Sequence, residues 1–112
     1  MENLLYESAI TSKTDVISGT LKCSTATVFS RTFDDALVLG LANPSSTEKV
    51  EYTLYDQYTG HKLSSGSLSP GNSKQITIPA TSEMSSYRLQ NQSNCGITHT
   101  TPLLMYSVVV AD

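Results

Sequence analysis

The chain has no tryptophan, two phenylalanines and two cysteines, and only 15% of its 112 residues are charged. Each shortage excludes something. Without a Cys…Trp…Cys spacing, an antibody-type immunoglobulin domain is disfavoured. Cys23 and Cys95 stand alone, whereas a zinc site usually takes four ligands at close spacings. They leave open two idle thiols, or a disulfide within one chain or between chains. An internal bridge of that span would add on the order of 4 kcal/mol by restricting the unfolded chain, and a reducing compartment would oppose it. The few charges sum to −3 with no cluster of Lys and Arg, so nucleic acid is not an expected partner. No run approaches the roughly 18 apolar residues of a membrane span. Internal repeats and low-complexity segments are absent as well.

Hydroxyl side chains are abundant: Ser and Thr make up 31 of the 112 residues. Thr favours strands and Ser favours turns, so the composition points to an all-β fold with exposed hydroxyl faces. The length suits one domain with its own core. Strand signals recur at short spacings. "DVISGTLKC" and "TATVFSRTF" are rich in β-branched and aromatic residues. "ALVLGLAN" is a continuous apolar run, expected as a strand buried on both faces, and Asn43-Pro44-Ser45-Ser46 breaks the chain after it. In "EKVEYTLYD", Val50, Tyr52 and Leu54 alternate with Glu51, Thr53 and Tyr55, the period of a half-buried strand. Tyr58-Thr59-Gly60 and Pro70-Gly71-Asn72 read as turns around "HKLSSGSL", a strand interrupted at Gly66. "KQITIP", "SYRLQNQ" and "LLMYSVVVA" complete about eight strands, with no convincing helix. Short turns favour antiparallel pairing. The expected fold is an antiparallel two-sheet sandwich, a jelly roll in particular.

Residues 1–15, "MENLLYESAITSKTD", read as a separate N-terminal arm or first edge strand, with residues 16–112 forming the sandwich. Leu4, Leu5, Tyr6 and Ile10 give the arm an apolar group that a free tail would not keep in water. Glu2 stands where a signal peptide would be basic, so synthesis in the cytoplasm is expected.

Candidate chemistry is sparse. Asp56, His61 and the serines of "SSGSLSPGNS" have the residue types of a nucleophile, a base and an orienting acid. They fall on turns and an exposed strand, and no Gly-x-Ser-x-Gly elbow is present. Hairpins are the expected role, and no catalytic residue is assigned. His99 near Cys95 and Asp34-Asp35 beside Arg31 lack the companions or spacing of zinc and calcium sites. No cofactor, metal or small-molecule substrate is therefore expected. Asn91-Gln92-Ser93 matches a glycosylation sequon, expected to carry no meaning without a secretion signal. Tyr52, Tyr87 and Tyr106 fall on core faces. Tyr55 and Tyr58 fall outward near one loop, and with His61 they form a possible contact surface.

The arm, the run "VEYTLYDQYTGHKLSSGSLSPGNSKQITIP" and the two cysteines together resemble the jelly-roll subunits of bacterial endospore appendages. The resemblance implies an N-terminal connector that reaches into neighbouring subunits, sandwiches that add edge to edge into a fibre, and a final location on a spore or cell surface. Connector cysteines cross-link subunits in that family, and this arm has none. Independently of the family, open sheet edges and an extended segment favour strand addition between copies. The expectation is a non-enzymatic, self-assembling structural subunit whose partner is itself. The alternative is a carbohydrate- or cell-surface-binding module that uses Tyr55, Tyr58 and His61.

Overall fold

The computed structural model describes residues 5–31, 35–80, 85–93 and 102–111, with the backbone alone for residues 5–8. These residues form nine strands: β1 Leu5–Ile10, β2 Val16–Leu21, β3 Ala26–Arg31, β4 Leu37–Ala42, β5 Val50–Asp56, β6 Lys62–Leu68, β7 Ser73–Ile78, β8 Ser85–Asn91 and β9 Leu104–Val110. They make a five-stranded sheet, β1-β3-β8-β5-β6, facing a four-stranded sheet, β2-β9-β4-β7.

The topology is a jelly roll, as expected. Strand β2 pairs with β9, β3 with β8, β4 with β7 and β5 with β6, all antiparallel. These four nested pairs amount to one long double ribbon. The β4–β9 and β5–β8 ladders roll it into two sheets. The ninth strand is the addition. Strand β1 runs parallel to β3 along the edge that β3 would otherwise leave open. It follows that residues 5–10 of the expected arm lie in the parent sandwich, with Ile10 completely buried in its core.

Alternation builds that core. Val50, Tyr52 and Leu54 point inward from β5, Leu37, Leu39 and Leu41 from β4, and Tyr87 and Leu89 from β8. Phe29 packs against Tyr87 with ring centroids 5.4 Å apart. Two expectations need correction. Strand β4 is buried on one face only: Val38, Gly40 and Ala42 are half-buried on its other side, because that face of a two-layer sandwich meets water. Strand β6 is also not interrupted at Gly66. The Tyr52 ring lies against this glycine, with the hydroxyl 3.1 Å from where a Cβ would be, so the strand continues.

Buried polar side chains pin one sheet to the other at both ends. Asn91 on β8 donates through Nδ2 to Leu21 O at 2.9 Å and Pro102 O at 3.1 Å, while its Oδ1 accepts from Ser93 N. Asn43 after β4 donates to Leu68 O at 3.0 Å and to Glu48 O. At the opposite end Arg31, 1% exposed, donates to the carbonyls of Asp35 and Pro79 and lies over the Tyr87 ring. Each replaces water on carbonyls where the strands stop, which a buried chain end requires.

Three turns show why the chain reverses where it does. Asp56 Oδ1 accepts from Tyr58 N and Thr59 N, and Gly60 takes φ 77°. Ser69-Pro70-Gly71-Asn72 closes with Asn72 N donating to Ser69 O, with Gly71 also at φ 77°, and it carries the chain from one sheet to the other. Both glycines supply a left-handed conformation that costs a side-chain residue more. Between β1 and β2, the Asp15 carboxylate collects four donors: Thr11 N, Thr11 Oγ1, Ser12 N and Ser12 Oγ.

Candidate functional site

Asp56, His61 and the neighbouring serines do not converge. Asp56 spends Oδ1 on its turn, and its backbone N–H donates to His61 O. His61 is exposed, and its backbone N–H donates to Thr59 Oγ1 at 3.2 Å. Ser64, Ser65 and Ser67 belong to β6. Among the described residues no hydrogen bond joins His61 to a serine side chain, so the three residue types build a hairpin.

Among the described residues there is also no group of three or more His, Cys, Asp or Glu side chains that could hold a metal ion. Asp35 instead sits 3.5 Å from Lys13. Asp34, Cys95 and His99 lie outside the described residues. Cys23 is disulfide-bonded, and its sulfur lies 2.9 Å from Ser93 O. A disulfide sulfur has no proton, so that contact is packing and not a hydrogen bond. The sequon is closed to sugar in the folded chain. Asn91 is completely buried with its amide engaged on both sides.

What remains are edges and faces. The five-stranded sheet ends in β1 and β6, and the four-stranded sheet in β2 and β7. Strands β1 and β2 lie against each other on one flank. Strands β6 and β7, joined by the Ser69–Asn72 turn, form the other. Natural edges are usually blunted by proline, inward charge or bulges. None of these four strands contains proline. Strand β2 has no charge at all, and β6 has only Lys62. Among the described residues of these strands a bulge lies at the Lys62 end of β6, opposite Leu54 and Tyr55, and it leaves Leu63 outside the register and 49% exposed. From Ser65 to Ser67, β6 is exposed along its length. Of the arm residues, Leu5, Tyr6 and Ile10 fall on β1, and Leu4 lies outside the described residues.

The outer face of the five-stranded sheet carries the other feature. Tyr55 is half-buried there, and Tyr58 is 69% exposed on the adjoining turn. Register places Arg88 of β8 and Lys62 of β6 on either side of Tyr55. Gln92 Nε2 donates to Tyr55 OH at 3.1 Å, and its Oε1 accepts from Thr53 Oγ1. Thr53 is buried beneath this network although it faces outward. A groove of about 390 Å³ runs beside it, lined by Tyr55, Asp56, Gln57, Gly60, Arg88 and Gln90. Arg88, Gln90 and Gln92 escaped the sequence reading. Their signal was the alternation in "SYRLQNQ", which sets them opposite Tyr87, Leu89 and Asn91. No helix among the described residues is long and apolar enough to cross a membrane.

No protein-family model matches the sequence, and no curated protein matches it. Solved structures do. The pre-peptidase C-terminal domain of collagenase from Bacillus anthracis aligns with a TM-score of 0.54 at 13% identity, covering 96% of this chain and 97% of that one. A subunit of the disulfide-linked Bacillus endospore appendages aligns at 0.49 and 14%, covering 88% and 87%. A de novo designed double-stranded β-helix aligns at 0.44 and 14%, covering 86% and 97%. At 13% identity the likeness to the collagenase domain defines a class of fold, the two-sheet β-sandwich, and no particular function.

Proposed function

We propose that the chain is a non-enzymatic structural subunit that associates with copies of itself edge to edge. The observation that carries this is the direction of its edge strands. Relative to β3, strand β1 runs parallel, β8 antiparallel, β5 parallel and β6 antiparallel. A second copy placed alongside in the same orientation would therefore bring its β6 against β1 as an antiparallel pair. The same holds for β2 and β7, which are also opposed in direction. Both flanks thus match their opposites in strand direction. Such a head-to-tail contact propagates instead of closing as a two-fold dimer.

Magnitudes favour using both sheets. A six-residue ladder adds about six main-chain hydrogen bonds worth about 0.5–1.5 kcal/mol each, against an association cost of about 4–15 kcal/mol. One ladder is marginal, and two offset the cost. The sheets differ by one strand, about 4.8 Å, across a separation of about 10 Å. Joining both edges therefore turns each subunit by roughly half a radian relative to the last, and with the twist of the sheets adding a rise the product coils.

Deleting residues 1–12 removes β1 and should abolish assembly. Because Ile10 is buried, that variant also loses core packing, so Ser64→Pro and Ser65→Pro on β6 provide a second test. Adjacent residues of an edge strand direct their N–H groups to opposite sides, so one proline meets the free edge and the other the β5 ladder. The free-edge proline should give a folded protein that stays monomeric by light scattering. Normal assembly of a folded free-edge variant would refute the β6 contact.

A further inference from the structure

We propose that the outer face of the five-stranded sheet binds a carboxylate-bearing saccharide, a uronate, across the row Arg88, Tyr55 and Lys62. Adjacent strands are about 4.8 Å apart, so the two cationic residues stand about 10 Å from each other with the tyrosine between them. Among the described residues neither makes an ion pair. The ion pairs there are Lys13–Asp35 and Lys49–Glu51. In a chain of net charge −3, this row is a local reversal of sign. Asp56, the carboxylate that lines the groove, has Oδ1 committed to the turn.

The rest of the surface suits hydroxyls. Gln92 is held between Thr53 and the Tyr55 hydroxyl, which fixes the orientation of that hydroxyl. Gln57 and Gln90 line the adjoining groove, and no hydrogen bond of either side-chain amide is found among the described residues. Planar amides that both donate and accept, a guanidinium that takes a carboxylate in two parallel bonds, and apolar ring area are the groups a charged sugar engages. Nucleic acid is a poor occupant, since phosphate backbones demand many more cations. Edge-to-edge assembly leaves sheet faces in water, so a chain of subunits would present this row repeatedly and gain avidity along a polysaccharide.

The test is fluorescence anisotropy of labelled tetragalacturonate, which reads bound fraction whether the protein is monomeric or assembled. Saturable binding is expected. Arg88→Gln and Lys62→Gln should each weaken it about tenfold, and the fully methyl-esterified tetrasaccharide should bind at least about tenfold more weakly. Lys62 is exposed, so its variant carries the test if Arg88→Gln does not fold. No binding at about 10 mM protein sites, a weakest measurable affinity, would overturn the proposal. So would an ester that binds as well as the acid, folded variants that bind as well as the wild type, or a glutamate tetrapeptide that matches the saccharide.

Discussion

The Tyr106 side chain occupies the space that a side chain at position 19 would need: a Cβ on Gly19 would lie 2.8 Å from the tyrosine hydroxyl and 3.1 Å from Cζ. The two residues are register partners on β9 and edge strand β2. Tyr52 and Gly66 repeat the arrangement at edge strand β6 of the other sheet. In each sheet an edge strand is covered on its inner side by a ring from its neighbour. Gly19→Ala must therefore move a ring that is 91% buried, given the 9% exposure of Tyr106. Overpacking of this kind costs about 1–3 kcal/mol. Urea denaturation should show that loss for Gly19→Ala, and close to none for Ser18→Ala on the exposed face of the same strand.

Asn91→Ala should be among the most damaging single changes. It strips the Leu21 and Pro102 carbonyls of their donor and the Ser93 N–H of its acceptor, all at a buried junction of the two sheets. Each buried group left unpaired costs about 1–3 kcal/mol, so the three together imply a loss of at least about 3 kcal/mol in chemical denaturation. Gln92→Ala, one residue on but facing outward, should cost less, because removing this exposed side chain opens Thr53 Oγ1 to water.

Asp15 gives the fold an acid sensitivity with a definite sign. The Thr11 backbone N–H, then the Ser12 and Thr11 hydroxyls, hold its carboxyl below the ordinary aspartate value of 3.8. A folded-state pKa below the unfolded one means that the turn stabilises fully above about pH 5 and loses its contribution as pH falls through the depressed value. Asp15→Asn should lower the denaturation midpoint at neutral pH, and the gap from wild type should close in strong acid. A gap that stays constant from neutral to acid pH would show that ionisation plays no part.

Cys23 is disulfide-bonded in the single chain, and the bond is expected to close on Cys95, the other cysteine of the sequence. A closed loop of that length stabilises by about 4 kcal/mol in the chain-entropy model. Non-reducing electrophoresis should show a monomer band, and reductant should lower the melting temperature. A ladder of multimers that collapses on reduction would place the bond between subunits.

Much of the fold was legible, and the limits have physical causes. Alternation in "VEYTLYD" and the Pro70-Gly71 turn are local signals, and they located β5, the inward Tyr52 and the turn after β6; that this turn crosses between sheets instead of closing a hairpin depends on the distant pairing of β7 with β4. Strand β1 was ambiguous because a six-residue run holding Leu5, Tyr6 and Ile10 fits either a free arm or an edge strand; only the open side of β3 decides. The Arg88, Tyr55 and Lys62 row was illegible for a different reason. It depends on the β5–β8 register, which joins residues more than thirty positions apart, and on the bulge that sets Lys62 opposite Tyr55. Gly66 looked like a break because its function lies in a ring from another strand.

Edge-to-edge growth is tested most directly by negative-stain electron microscopy of the purified full-length protein over a range of concentrations. Edge-to-edge addition should give coiled fibres with strands across the fibre axis. Their subunit repeat should lie between about 19 and 24 Å, the widths of four and five strands. A uniform 12.1 kDa monomer at every concentration, or a closed two-fold dimer, would contradict it.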